Sequence, residues 1–259
     1  MLFPKLRKNS FHSRIHSPGL TRIPFPIDLM YLKSPNSRVS ALKEDTIIQA
    51  LLLLIRRCPR LTHQCYWAET SSIAVEELHH RESFDLDFHT RTAHEKTMPL
   101  MMELQTAFPG AFKILQSPDE YGSGFQGLLR LPSGEELTIE VLSNYETVSD
   151  RDIEDARSVP GIKRVTLTRY LEDKIQCIAE PSEARDLVDI LAVLKHAPAL
   201  ESTARRMLSN QDALLVAERL TGWTDGEIDR DLAAYHDVDS RTAKQARDLL
   251  LSWLKGSTS

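Results

Sequence analysis

The chain has 259 residues, 41% of them apolar and 27% charged, with a formal net charge of −5. That composition suits a globular protein with either one large domain or two small ones. Its longest apolar run, Ile47 to Ile55 broken by Gln49, is far shorter than the ~20 residues that span a bilayer, so no membrane association is expected. The basic start lacks the apolar stretch and cleavage site of a signal peptide, which makes the cytoplasm the expected location. Cys58, Cys65 and Cys177 show no Cys-x-x-Cys spacing, which argues against a disulfide framework or a structural zinc site.

Residues 1–43 carry eight Lys or Arg and one acid, Asp28; the rest carries 24 basic and 36 acidic residues. Residues 1–40, rich in Pro, Ser and basic groups, read as a loosely ordered arm. A basic tail on an acidic body suits nucleic-acid contact, or simply a solvated extension. Helical spacing then runs from Ala41 to Arg57 and stops before Pro59. A second helix is expected over Ser71–Leu78. Ser83 to Phe88 alternates strictly and contains two aromatics, which predicts a strand.

Residues 94–107 read as a helix ending near Pro109-Gly110. A meander follows, with strands at Phe112–Leu115, Gly124–Leu131 and Glu136–Leu142. The last two flank a turn at Pro132-Ser133-Gly134. Arg164–Thr168 reads as one more strand. Six helices are expected after it: Tyr170–Ala179, Glu183–Lys195, Leu200–Leu208, Gln211–Leu220, Asp225–Tyr235 and Arg241–Leu254. The layout is α+β, a small mixed sheet with helices followed by a helical C-terminal part.

The first residues that suggest chemistry are Asp85 and Asp87. Side chains two apart on a strand point the same way. The two carboxylates therefore share one face, while Phe84, Leu86 and Phe88 pack on the other. Like charges held side by side favour a cation between them. Mg²⁺ is held by one or two carboxylates together with substrate phosphates, and a pair of such ions stabilises both oxygens of a phosphoryl transfer. The competing reading is an edge strand with two solvated acids. In Leu137-Thr138-Ile139-Glu140-Val141-Leu142, Glu140 projects opposite Leu137, Ile139 and Val141. An acid among apolar neighbours there is costly unless it is paired or metal-bound.

The run His80-Arg81-Glu82-Ser83-Phe84-Asp85-Leu86-Asp87-Phe88 resembles the signature of the AbiEii-type nucleotidyltransferase toxins, of the DNA polymerase β-like superfamily. In that family a Gly-Gly-Thr/Ser stands ahead of a His-Arg-x-Ser-x-Asp-x-Asp-Phe run. Here Ser72 stands eight residues before His80. The two family glycines fall on Thr70 and Ser71, whose Cβ atoms would narrow a phosphate pocket. The family also resembles this chain in a Lys followed eleven residues later by Arg-Asp-Leu-x-Asp: Lys174, then Arg185, Asp186 and Asp189. A family Arg in the turn before that run is Pro181 here. An ordinary helix-surface pair of Arg185 with Asp189 is the alternative for this cluster.

The resemblance covers roughly residues 41–195. It implies a polymerase β-like nucleotidyltransferase core over 41–168 with a helical C-terminal domain over 169–259. It implies Asp85, Asp87 and Glu140 as metal ligands for two Mg²⁺, with Lys174 and Asp186 completing the catalytic set. Ser71, Ser72, Arg81, Ser83, Lys174 and Arg185 would bind the nucleotide. The expected substrate is an NTP and the expected acceptor a tRNA or a protein. Such family members are toxins of toxin–antitoxin or phage-defence systems, so a cognate antitoxin is an expected partner. The rival reading is an inactive relative that binds RNA or a protein, and a weaker third is a metal-dependent phosphodiesterase.

Overall fold

The computed structural model describes residues 44–83, 85–178, 183–235 and 237–256. The basic arm, Phe84 and Pro181 lie outside these residues. The expected α+β layout is borne out: seven strands form one mixed sheet, in the order β3-β4-β5-β2-β1-β7-β6, with helices around it and helices alone after it.

The first helix, α1 (Glu44–Arg57), buries Ile47, Ala50, Leu51 and Leu54. That i, i+3, i+4, i+7 spacing is the core-facing stripe of an amphipathic helix. Pro59 ends the pattern but also opens α2 (Pro59–Gln64) at its first position, where the missing N–H costs nothing. Helical spacing breaks at this proline and gives no sign of α2. Nor is the three-residue strand β1 (Cys65–Trp67) foreseen, being too short to show a period.

The predicted helix at 71–78 is two pieces, α3 (Glu69–Ile73) and a π-helical turn over Ala74–Leu78. The predicted strand at 83–88 is shifted, and β2 spans Asp85–Thr90. Its pairing with β1 explains the shift: Cys65, Tyr66 and Trp67 lie opposite Thr90, His89 and Phe88. Next, α4 covers Met98–Ala107, later than expected, because Thr97 and Pro99 start it. The meander is as predicted, with β3 (Phe112–Gln116), β4 (Gly124–Arg130) and β5 (Glu136–Leu142). Gly127 of β4 is required there: a Cβ would meet the Phe112 ring at 2.2 Å.

The short strand β6 (Ile153–Asp155) was not foreseen. The strand expected at 164–168 is only β7 (Lys163–Val165), and α5 (Leu167–Ile178) begins where its end was placed. Five helices follow: α6 (Ala184–His196), α7 (Glu201–Ser209), α8 (Ala213–Gly222), α9 (Asp225–Leu232) and α10 (Ser240–Gly256). No helix among the described residues is long and apolar enough to cross a membrane.

Two apolar cores result. In one, α1, α2 and α4 pack on a sheet face built by Trp67, Leu86, Phe88, Phe125, Leu137, Ile139 and Val141. Each fully buried side chain of this kind contributes ~1.5–3 kcal/mol. In the other, Tyr66, Ile73 and Val165 meet the helices from α5 onward. The sheet thus carries one core on each side. Near β2 and β5 Asp87 is buried, and the other residues opposite the first core are only partly covered.

Candidate active site

On β2 the alternation of the strand decides everything. Leu86 and Phe88 are fully buried in the first core. Asp85, Asp87 and His89 therefore lie in a row on the other face. β5 runs parallel to β2, with Asp85 opposite Thr138 and Asp87 opposite Glu140. Neighbouring strands are ~4.8 Å apart, so Glu140 stands directly beside Asp87 on the same face. Asp87 is buried, and Asp85 and Glu140 are half-buried. His89 ends the row, edge-on to Tyr66 with ring centroids 5.8 Å apart. Burial holds its pKa below the usual value.

These oxygen donors suit a hard divalent cation such as Mg²⁺. Among the described residues no group of three or more His, Cys, Asp or Glu is gathered closely enough to hold an ion. A cation held by one or two protein carboxylates completes its shell with substrate oxygens.

The turn after β1 meets this row. Ala68 N–H donates to Asp87 O at 2.8 Å. The next residue, Glu69, has φ +57°. A non-glycine residue in the left-handed region costs on the order of 1–3 kcal/mol. The position that suits glycine is thus Glu69, one residue before the pair to which the sequence reading assigned the family glycines. Thr70, Ser71 and Ser72 follow in α3 and are all buried. Ser71 Oγ accepts a 2.8 Å bond from Trp67 Nε1, and Ser72 Oγ donates back to Glu69 O at 2.8 Å. Neither hydroxyl lines the adjoining cavity, because a helix that starts at Glu69 turns both side chains inward.

That cavity, of about 30 Å³, is lined by Glu69, Thr70, Arg81, Ser83, Asp85, Lys174 and Arg185. Five of the nucleotide and metal candidates therefore meet at one place. Ser83 Oγ donates to Asp85 O at 3.3 Å. Arg185 pairs with Glu183 and lies over the Tyr235 ring; it does not form the surface pair with Asp189.

Asp189 is instead the buried centre of the site. Its side chain is 0% exposed. Arg81 Nε and Nη2 donate to its two oxygens at 2.7 and 2.9 Å, a bidentate fork. His80 Nε2 lies 2.8 Å from Oδ1, and Thr70 Oγ1 donates to Oδ2 at 3.3 Å. Arg81 Nη2 also donates to Thr70 Oγ1 at 2.7 Å, and Tyr170 Oη lies 2.9 Å from that hydroxyl. Burial alone would raise the Asp189 pKa, but Arg81 overrides it and holds the carboxyl well below the usual range. Arg81 is thus a clamp from the β2 approach to α6, with its donors already engaged.

Lys174 of α5 sits beside this centre. Its ammonium lies 3.0 Å from Asp186, 3.1 Å from Glu69 and 3.7 Å from Asp189. Burial opposes its charge, but Asp186 first, then Glu69, lifts its pKa well above the ordinary value. Asp186 also closes the N-terminal capping box of α6, accepting from Glu183 N–H at 3.3 Å. It positions Lys174. Lys174 in turn draws the Glu69 carboxyl down to about 2.

Sequence reasoning missed Glu69 and Tyr170. Glu69 had only its place before Thr70 as a signal, and spacing does not reveal a left-handed backbone. Asp189 was seen as a helix neighbour of Asp186, but its real partner, Arg81, is 108 positions away.

No family model matches the chain, and no curated protein matches it. Among solved structures it is similar to several proteins at low identity. JHP933 from Helicobacter pylori is 17% identical, with 85% of this chain and 97% of that one covered and a TM-score of 0.47. An antigenic nucleotidyltransferase-like protein from Paracoccidioides brasiliensis is 16% identical, over 76% and 96% of the two chains, with a TM-score of 0.45. MenT4, a nucleotidyltransferase toxin from Mycobacterium tuberculosis H37Rv, is 15% identical, over 82% and 84%, with a TM-score of 0.45. These likenesses are too distant to assign a family, and the reading of the site rests on its residues.

Proposed function

We propose that this protein is a metal-dependent nucleotidyltransferase that transfers a nucleoside monophosphate from an NTP to an RNA or protein acceptor. The observation that carries the reading is the acidic row: Asp85 and Asp87 on one face of β2, with Glu140 in register beside Asp87. The row opens beside a cavity lined by Lys174 and Arg185. Acids for a cation and bases for phosphates thus meet at one edge, the pairing that phosphoryl transfer needs.

Asp85 and Asp87 would hold Mg²⁺, with Glu140 nearest to Asp87, as one ion or two. Bound there, Mg²⁺ neutralises charge that develops on the transferred phosphoryl group. Lys174 and Arg185 draw the polyphosphate into place, and Ser83 orients Asp85. Asp186 sets the Lys174 ammonium. A tRNA 3′ end or a protein hydroxyl is the acceptor this chemistry suits. The resemblance of the His80–Phe88 run supports a role as a toxin with a cognate antitoxin, and a cytoplasmic site of action is part of the same proposal.

A second reading, an inactive relative that binds RNA or a protein, is favoured by the small cavity and by the carboxylates already around Lys174. Incubating the protein with each radiolabelled NTP, Mg²⁺ and total RNA or lysate separates the two. A labelled product is expected, lost with EDTA and reduced by orders of magnitude in Asp85→Asn and Asp87→Asn. Transfer near the wild-type level in both variants would remove the catalytic assignment.

A further inference from the structure

The phosphate side of the cavity already holds an anion of its own. Lys174 is the ammonium that a polyphosphate would seek, and three carboxylates surround it. They are not equivalent. Asp189 is fully buried and tied by Arg81, His80 and Thr70. Asp186 is 11% exposed and built into the capping box of α6. Glu69 is 38% exposed, and among the described residues its side-chain bond is to Lys174. It also lines the cavity together with Asp85, Ser83 and Arg185. Its backbone is left-handed at φ +57°, a conformation that glycine takes without strain. A polyphosphate oxygen and the Glu69 carboxylate cannot both sit on the open side of Lys174, because like charges there repel.

We propose that Glu69 gates the phosphate pocket: its carboxylate occupies the position beside Lys174 that a polyphosphate must take, and binding requires it to swing away. The gate rests on the transferase reading for its purpose, though not for its geometry. It makes the polyphosphate tail, rather than the base, the group that must compete for entry. It also makes the resting state closed, since the carboxylate stays ionised throughout the neutral range.

Glu69→Gln keeps the shape and removes the competing charge. Glu69→Gly removes the side chain and relieves the left-handed backbone. Calorimetric titration with inorganic tripolyphosphate, and with each of the four NTPs, tests both against the wild type. Tripolyphosphate should bind about tenfold tighter to Glu69→Gln, the effect of one nearby charge. Glu69→Gly should bind tripolyphosphate at least as tightly as Glu69→Gln does. Equal or weaker tripolyphosphate binding in both variants overturns the gate, and so does undetectable binding throughout. Tighter tripolyphosphate binding with no nucleotide transfer by any variant upholds the gate and removes the transferase reading. Transfer by the wild type, with tripolyphosphate affinity unchanged by Glu69→Gln, does the reverse.

Discussion

Two groups of carboxylates lie within one site and are treated in opposite ways. Asp189 is enclosed by protein donors: a bidentate arginine, a histidine and a threonine, with a lysine nearby. Asp85, Asp87 and Glu140 stand shoulder to shoulder along a half-covered sheet face. A buried charge persists only when partners repay its desolvation, and the first group meets that condition from within the fold. The second group concentrates like charge along one sheet face, the feature on which the proposed metal role rests. Acids of one motif region can therefore be held in a bidentate ion pair or lined up on one sheet face, and the fold decides which.

The sharpest way to break this comparison is on the stability axis. Asp189→Asn keeps the shape but leaves Arg81, His80 and Lys174 without their shared anion. It should cost about 3–5 kcal/mol in a denaturant titration. A loss under ~1 kcal/mol would mean that the centre is not a structural clamp.

Acid sharpens the same contrast. The folded Asp189 carboxyl titrates well below its unfolded value of ~3.9. Its stabilisation is therefore complete above that value and is lost as pH falls through the folded pKa. Glu69, drawn from 4.5 to about 2, follows the same sign between those values. Thermal midpoints of wild type and Asp189→Asn should converge as pH falls below ~4. A gap that stays constant down to pH 2 would contradict the depressed carboxyl.

Thr70→Val is a smaller probe of the same centre. It removes the hydroxyl that accepts from Arg81 and meets Tyr170. A buried donor left unsatisfied costs about 1–3 kcal/mol, readable as a lowered thermal midpoint. The smallest stability effect belongs to the acidic row. Asp87→Asn should leave stability in the absence of Mg²⁺ unchanged or slightly raised, since it relieves repulsion from Glu140 across the strands. Its large effect should be on transfer alone. Destabilisation on the scale of Asp189→Asn would place Asp87 with the structural group.

How much of this was legible depended on distance along the chain. Alternation from Asp85 to Phe88 was enough to put two carboxylates on one face, and the Pro132–Gly134 turn was enough to pair β4 with β5. The helices after residue 167 were readable from their period, apart from their ends. What escaped were elements without a period, such as β1 and β6, and the backbone at Glu69. The roles of Ser71, Ser72 and Arg81 also escaped, because a motif names residue types but not the direction in which a helix start turns them. Ser71 faces Trp67, and Arg81 faces Asp189.

By itself, then, the sequence determined the α+β layout, the acidic row on β2 and the identity of most groups that meet at the cavity. The first two follow from local periodicity and the two-residue repeat of a strand; the cavity groups follow from the resemblance of the His80–Phe88 and Lys174–Asp189 runs to the nucleotidyltransferase toxins. Only the tertiary structure decided which charges are consumed by the fold. It brought Asp189 to Arg81, Lys174 to Glu69 and Glu140 to the side of Asp87. Ion pairs form between side chains far apart in sequence, and their energetics depend on a burial that no local pattern encodes.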